Sequence, residues 1–382
     1  MVWKHICLII VSLSLASQVI AGSADSSTQF NPAISVILTG TYAQFSNDPD
    51  TYSIPGFALS DDTGPGNEGF SLGESEINLS ANVDDLFYGR LTAALGADDT
   101  IGVEEAFIET LGLGNGVTIK AGRFFSGIGY LNQHHAHTWD FVDQPLVYQA
   151  MLGGQLGDDG IQLHWLAPTD VYLEFGLEAL RGDAFPAGNA ANDGKGTMTY
   201  FAHVGGDLGV SHSWQAGLSY LQADADARET GNPAEVFTGS SDIFIVDAIW
   251  KWAPNGNVKQ KYLKLQGEYF MRSENGTYQA NPYAADQRGY YLQAVYQFIP
   301  LWRVGLRYDS LTADDPGAAF TGTALDTQGH HPQRWSTMID WSRTEFSRLR
   351  LQYNRDDSSP DSDNQLYLQY TMSLGAHGAH RY

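Results

Sequence analysis

The sequence predicts an all-β fold, a transmembrane antiparallel β-barrel of about sixteen strands. First, apolar and polar residues alternate strictly over segments of about ten residues, as in a strand that has lipid on one face and water on the other. Second, no run of about 20 apolar residues follows the first 21 positions, which argues against crossing a membrane by helices. Third, the connections between the alternating segments are short and long in turn.

The last alternating segment shows the pattern clearly. Between Gln365 and Leu374, Leu366 and Leu368 lie on one face, and Gln369 lies on the other. Such a segment is longer than the five or six residues typical of strands in water-soluble sandwiches. Strands are predicted at 33–45, 72–84, 86–96, 103–112, 116–125, 159–167, 170–181, 197–206, 212–222, 241–252, 260–272, 287–299, 301–311, 333–343, 346–356 and 363–374.

Aromatic residues flank most of the short connections, as expected of the girdle at a membrane interface. They are Phe87, Trp165, Tyr172, Trp214, Trp250, Trp252, Phe298, Trp302, Trp341 and Phe346. Short turns on one side and long loops on the other are typical of barrels in the outer membrane of Gram-negative bacteria. A barrel of this size encloses a lumen too wide for side chains to fill, so a water-filled channel is expected.

The two ends of the chain carry processing and assembly signals. Residues 1–21 are predicted to be a cleaved signal peptide, residues 22–32 a short periplasmic segment, and residues 33–382 the barrel. Cys7, the single cysteine, lies in the signal, so the mature chain is expected to lack thiol chemistry. Tyr382 is an aromatic end of the kind that the outer-membrane assembly machinery reads, which makes that machinery an expected partner.

The charge balance is strongly acidic. The chain has 21 Lys and Arg against 44 Asp and Glu, a formal charge of −23. This argues against nucleic acid as a partner and favours cation selectivity. The predicted extracellular segments NDPD, SDDTGPGNE, QADADARE and TADDPG are acidic, and they would also bind lipopolysaccharide through divalent ions. Membrane lipid and lipopolysaccharide are therefore expected partners.

The third long loop, residues 126–158, carries a resemblance to known families. In strand number, loop alternation and the position of this loop, the chain resembles the outer-membrane porin superfamily. The resemblance implies a loop that folds into the barrel and narrows it, passive uptake of small solutes or ions, and a homotrimer.

Two shorter stretches carry narrower resemblances. AGRFFSGIGYLNQ, Ala121 to Gln133, resembles phosphate-selective porins and implies anion selectivity as an alternative. HHAHTWDFVDQPL is similar to a His-rich, zinc-associated group sometimes labelled TonB-dependent receptors. That label conflicts with the predicted strand number, because such receptors enclose a plug within about 22 strands.

Three histidines in NQHHAHTWDF raise a metal hypothesis. Imidazole nitrogens and carboxylate oxygens bind Zn²⁺ when thiolates are absent. The candidate ligands are His134, His135, His137, Asp140, His164, His330 and His331, with Asp143 as a further oxygen donor. Zinc or another divalent cation is then an optional ligand and no cofactor is required. The alternatives are a pH-responsive constriction and a hydrated loop that binds no metal.

Alternation also places charged residues on the lumen face. The predicted pore-lining residues are Arg90, Lys120, Lys264, Arg303, Arg307, Arg350, Glu105, Glu109, Glu174, Glu178, Asp309 and Asp340. Opposed acidic and basic walls would set a field across the pore.

Three functions compete with a porin. An outer-membrane enzyme would need a catalytic arrangement, and neither Ser126 nor Ser211 with His212 has a recognisable one in the sequence, so no enzyme is expected. A structural or adhesive barrel need not conduct. A sugar channel would need aromatic residues in the lumen, whereas most of those here are predicted to face lipid.

Overall fold

The computed structural model describes residues 32–61, 63–96, 100–188, 196–231 and 234–375, and within them the predicted antiparallel β-barrel is confirmed. The predicted signal peptide and Tyr382 lie outside the described residues. The strands are β1 (Ala33–Phe45), β2 (Gly69–Leu72), β3 (Ser75–Asn82), β4 (Phe87–Leu95), β5 (Ile101–Thr110), β6 (Val117–Phe125), β7 (Gly157–Leu166), β8 (Tyr172–Leu180), β9 (Thr197–Leu208), β10 (His212–Thr230), β11 (Glu235–Trp252), β12 (Tyr262–Tyr278), β13 (Asn281–Ile299), β14 (Trp302–Ala313), β15 (Gln333–Thr344), β16 (Ser347–Asp357) and β17 (Asp363–Gly375). One α-helix, α1 (Leu146–Leu152), and 3₁₀ turns at Pro49–Thr51, Leu131–Gln133, Ala136–Thr138, Pro254–Gly256 and Ala318–Phe320 lie between them.

The barrel closes where the last strand pairs with the first. β17 is antiparallel to β1, with Gly375 opposite Ser35 and Gln365 opposite Phe45; this pairing is called the seam below. β2 and β3 both pair with β1 and share one position in the wall, so seventeen strand segments form sixteen wall positions. Closure leaves no strand edge whose N–H and C=O groups would lie unpaired in hydrocarbon.

The outer face of the wall is apolar and exposed. Leu218, Leu292 and Ile161 are 53%, 59% and 57% exposed, and they belong to a band of outward aliphatic and aromatic residues. An apolar band of this kind is unfavourable in water and favourable against acyl chains. Near the short turns, Trp165 stacks on Phe175 and Trp302 stacks on Trp341.

No helix among the described residues has the length and apolar character to cross a bilayer.

Four strands extend further than predicted. β10 continues to Thr230, β11 already begins at Glu235, and β12 and β13 continue to a turn at 279–280. The stretch QADADARE, predicted to be an extracellular loop, is instead the outer part of β10. There Ala223 and Ala225 face inwards and Asp224 faces outwards, so the apolar face is now the inner one. Above the membrane the outer face meets water and the inner face meets packed loops, which explains the reversal.

Loops fold into the barrel and build an apolar core there. Loop 3, residues 126–156, contains α1, and all seven residues of α1 are buried. Ile54 and Phe57 from the loop between β1 and β2 pack in the same core. The wall supplies Ile243 and Phe270. Much of the lumen at this level is therefore filled by protein.

Gly122 on β6 lies very close to the backbone of β5, so a substitution there tests the pairing of these two strands. Its φ is +129°, and a Cβ there would lie 2.2 Å from the carbonyl oxygen of Ala106 on β5. We expect Gly122→Ala to lower the free energy of unfolding by about 1–3 kcal/mol, because backbone strain and a clash are added together. Chemical unfolding in detergent micelles, followed by heat-modifiable gel mobility, measures the change.

Gly102→Ala on β5 is the matched control, because a Cβ at that glycine meets no atom within 4 Å. Equal effects of the two substitutions would contradict the expectation.

Candidate functional site

Loop 3 is attached to the wall at many points around the lumen. The backbone N–H of Gly127 donates to Glu178 on β8 at 2.9 Å, and that of Gly129 donates to Ser219 on β10 at 3.0 Å. Further along, the N–H of Leu146 donates to Asp309 on β14 at 2.9 Å. The loop thus spans the lumen rather than lying along one wall.

Glu268 on β12 holds the loop at Tyr130, Leu131 and Tyr148. Its carboxylate accepts the backbone N–H groups of Tyr130 and Leu131 at 3.1 and 3.0 Å. It also accepts the hydroxyls of Tyr148 at 2.9 Å and Tyr291 at 2.7 Å. Four donors on one buried carboxylate satisfy it fully and fix the loop in position.

His135 lies within a glutamate cluster, defined here as Glu76, Glu104 and Glu105. Its Nδ1 is 3.1 Å from Glu104 and 3.5 Å from Glu76, and its Nε2 is 2.9 Å from Glu105. Arg90 contacts Glu105 from the other side at 3.4 Å. Burial opposes charging of the imidazole, but the hydrogen bonds from Glu104 and Glu105 and the charge of Glu76 outweigh it and raise the pKa of His135 to about 10.

A β-bulge brings two consecutive glutamates to this imidazole. Thr92 of β4 pairs with Glu105 while Ala93 pairs with Val103, so Glu104 is the extra residue. Without the bulge, neighbouring residues would point to opposite faces of the sheet. Glu104 and Glu105 both reach His135 because the strand is irregular here.

The other two histidines of the stretch have different surroundings. His137 Nδ1 lies 2.7 Å from Glu76, and its ring stacks on His135 with centroids 5.8 Å apart. His134 turns away from the glutamate cluster, lies 4.7 Å from the Tyr130 ring and hydrogen-bonds the Tyr130 carbonyl. Burial lowers the pKa of His134 to about 4.

Asp140 meets basic residues on the wall. It pairs with Lys264, with Arg303 at 3.0 Å, and with the Gln293 amide at 3.1 Å. Burial disfavours the charged form, but Lys264 and Arg303 outweigh it and hold the pKa of the Asp140 carboxyl well below its usual range.

Asp143 makes a second attachment of the same kind. Its carboxylate pairs with Arg307 at 2.8 Å and with Arg334 at 3.0 Å. Burial is again the opposing influence, and the two guanidinium groups lower the pKa of Asp143 to about 2. The stretch from His135 to Asp143 therefore directs two imidazoles at glutamates and two carboxylates at lysine and arginine side chains.

The predicted metal ligands do not form one site. His135 and His137 reach the glutamate cluster, whereas Asp140 is bound by Lys264 and Arg303. The remaining members lie elsewhere: His134 against Tyr130, His164 paired with Glu174 at 2.9 Å, His330 bonded to the Asp357 carbonyl at 2.8 Å, and His331 exposed in loop 314–332.

The predicted pore-lining residues project inwards, but several are buried rather than lining water. Glu178, Asp309 and Arg350 are fully buried, and Asp340 is 1% exposed. The more accessible members include Arg90 and Lys120, whose side chains are 33% and 15% exposed.

Three residues that contact loop 3 are absent from the sequence prediction: Glu104, Arg334 and Arg348. Strict alternation along β5 places Glu104 on the outer face, and no local sequence signal marks the bulge that turns it inwards. Arg334 and Arg348 share the parity of other inward residues and could have been found from it.

The residues considered for an enzyme have structural partners. Ser126 is fully buried and its hydroxyl donates to Glu178. The ring of His212 lies tilted against that of Trp250, with centroids 5.4 Å apart.

Comparison with known proteins gives one relative and many solved structures of the same fold. No family model matches the chain. The solved structures include an anion-selective porin from Comamonas acidovorans (TM-score 0.59, 12% identity, covering 90% of this chain and 99% of that one). They also include the trimer form of OmpT, an outer membrane protein of Vibrio cholerae (TM-score 0.56, 12% identity, 90% and 99% covered), and the outer membrane channel DcaP of Acinetobacter baumannii (TM-score 0.57, 11% identity, 90% and 97% covered).

The relative is an uncharacterized protein of Aquifex aeolicus, strain VF5. It is 31% identical over 335 residues, which are 82% of this chain and 70% of the relative. The chain therefore belongs to the same family as this uncharacterized Aquifex aeolicus protein.

Proposed function

We propose that this protein is a channel in the outer membrane of a Gram-negative bacterium, through which small solutes and ions pass passively. The support is a closed barrel with an apolar outer band and a charged inner wall, together with solved structures of the same fold that are named as outer-membrane proteins, porins or channels. Loop 3, attached by opposite charges to opposite walls, carries the proposal, because it narrows the lumen at a fixed place. The trimer form of the Vibrio cholerae protein supports a homotrimer.

Cation preference is part of the proposal. The formal charge of −23 and the acidic outward residues of the extracellular strands and loops concentrate cations at the mouth. The anion-selective porin of the same fold supports the opposite selectivity. The reversal potential across a KCl gradient in planar bilayers separates the two.

The burial of loop 3 favours a second candidate function, a structural or adhesive barrel that does not conduct. All residues of α1 are buried, and much of the lumen is filled at that level. Absence of single-channel conductance from purified, folded protein would favour this candidate over the channel.

The glutamate cluster supports a divalent metal site as a finer part of the proposal. Ligand atoms of Glu76, Glu104 and His135 lie within 4.8 Å of one another. Two donor atoms on opposite sides of an ion, each about 2.0–2.5 Å from it, are separated by about 4–5 Å, which is close to this distance. The ion takes the place of the proton on Nδ1 of His135, and Nε2 keeps its hydrogen bond to Glu105, the arrangement common around metal-bound histidines.

We expect Asp140→Asn together with Asp143→Asn to raise single-channel conductance. The double change removes the carboxylates that hold the second half of loop 3 to Lys264, Arg303, Arg307 and Arg334, and breaking a buried pair costs about 3–5 kcal/mol. Asp361→Asn, at an exposed position, is the control. Unchanged conductance in the double variant would show that loop 3 does not limit the current.

The same attachment predicts a dependence on pH. The pKa of Asp143 is lowered on docking from 3.8 to about 2, so its stabilisation is complete above pH 3.8 and is lost as the pH falls through about 2. Wild-type conductance should rise over this range. In the double variant the rise should be absent, and a rise of equal size there would contradict the assignment.

We expect zinc binding to depend on the glutamate cluster. His135→Ala should abolish binding in isothermal titration calorimetry, and Glu105→Gln should weaken it about 10- to 100-fold, because the orienting hydrogen bond loses its charged acceptor. His331→Ala, at an exposed histidine, is the control. Equal zinc affinity in the wild type and in His135→Ala would place any bound metal elsewhere.

A further inference from the structure

Arg348 and Arg350 on β16 lie near two aspartates whose carboxylate oxygens accept hydrogen bonds from other side chains. Asp340 gives both carboxylate oxygens to Arg303, with Nε at 2.9 Å and Nη2 at 2.5 Å. Asp140 gives its oxygens to Arg303, Lys264 and Gln293. These two carboxylates therefore direct most of their hydrogen bonds to groups other than Arg348 and Arg350.

Arg350 is fully buried and has unsatisfied donors. Its Nη2 donates to the carbonyl of Trp139 at 2.7 Å and makes a long contact of 3.5 Å with Asp340. Its Nε and Nη1 are buried without a hydrogen-bond partner. Buried guanidinium N–H groups are rarely left in this state, since each loses its hydration without compensation.

Arg348, two residues earlier on β16, also has an unsatisfied donor. It donates to the carbonyls of His137 at 2.8 Å and Trp139 at 3.3 Å, and its Nε is buried without a partner. Among the described residues, no carboxylate lies within ion-pair distance of Arg348, although its side chain is only partly buried. Both arginines donate to one atom, the carbonyl oxygen of Trp139, so their guanidinium groups lie close together.

Positive charges outnumber negative charges around these two arginines. Lys264, Arg303, Arg348 and Arg350 face the two carboxylates of Asp140 and Asp340, an excess of two positive charges. Positive charge buried without a counter-charge is costly, and an anion between the two heads would offset it. Guanidinium forks match oxyanions because two N–H groups meet two oxygens.

We propose that Arg348 and Arg350 form a binding site for a small oxyanion, a phosphate or a carboxylate group, on the side of the lumen where β16 begins. The anion accepts hydrogen bonds from Nε and Nη1 of Arg350 and from Nε of Arg348. The site is separate from the glutamate cluster on β3 and β5, and it does not depend on metal binding there.

The test is titration of inorganic phosphate into the purified, folded protein in phosphate-free detergent buffer, followed by calorimetry. A parallel titration with acetate shows whether a carboxylate fills the same site, and competition by acetate distinguishes shared from separate binding. Arg348→Gln and Arg350→Gln should each weaken phosphate binding about 10- to 100-fold, as expected for a lost hydrogen bond to a charged group. Arg343→Gln, at an exposed position, should leave binding unchanged.

Two results would overturn the proposal. One is no phosphate or acetate binding by the wild type, and the other is equal affinity in the wild type, Arg348→Gln and Arg343→Gln. Because Arg350 is fully buried, heat-modifiable mobility must show that Arg350→Gln is folded. If it is not, Arg348→Gln, at a partly exposed position, decides the question alone.

Discussion

Charge pairing inside the barrel, where loop 3 packs against the wall, is the constraint on which the rest of the structure depends. The wall carries carboxylates on β3 and β5 and guanidinium groups on β14 to β16, and each would be costly if buried alone. Loop 3 supplies partners for both, because the stretch from His135 to Asp143 has imidazoles at one end and carboxylates at the other. The path of the loop across the barrel follows from where its opposite charges can be satisfied.

The same physics explains why the long strands of β10 to β13 look interrupted in the sequence. The alternation of faces continues without a break, but the environments of the faces exchange where the strands leave the bilayer. Within the membrane Leu218 faces out and Ser219 faces in, whereas further along Asp224 faces out and Ala225 faces in. An alternation rule based on lipid therefore ends the strand too early.

Sequence reasoning could predict the barrel, the inward direction of the charged residues and the special position of the third loop, because all three follow from a period of two and from loop length. It could not predict which groups meet. His135 and Asp140 are neighbours in the chain but reach opposite walls, since the segment between them extends across the lumen. Glu104 reaches His135 only through a bulge, and alternation alone places it on the lipid side.

One residue of loop 3 connects the two strands that flank the seam, β3 and β16. The imidazole of His137 bonds Glu76 on β3, next to β1, and its carbonyl accepts from Arg348 on β16, next to β17. The junction of the chain's first and last strands is thus bridged from inside the barrel. Separating β1 from β17 would require this bridge to break as well, so loop 3 opposes lateral opening of the barrel wall at the seam.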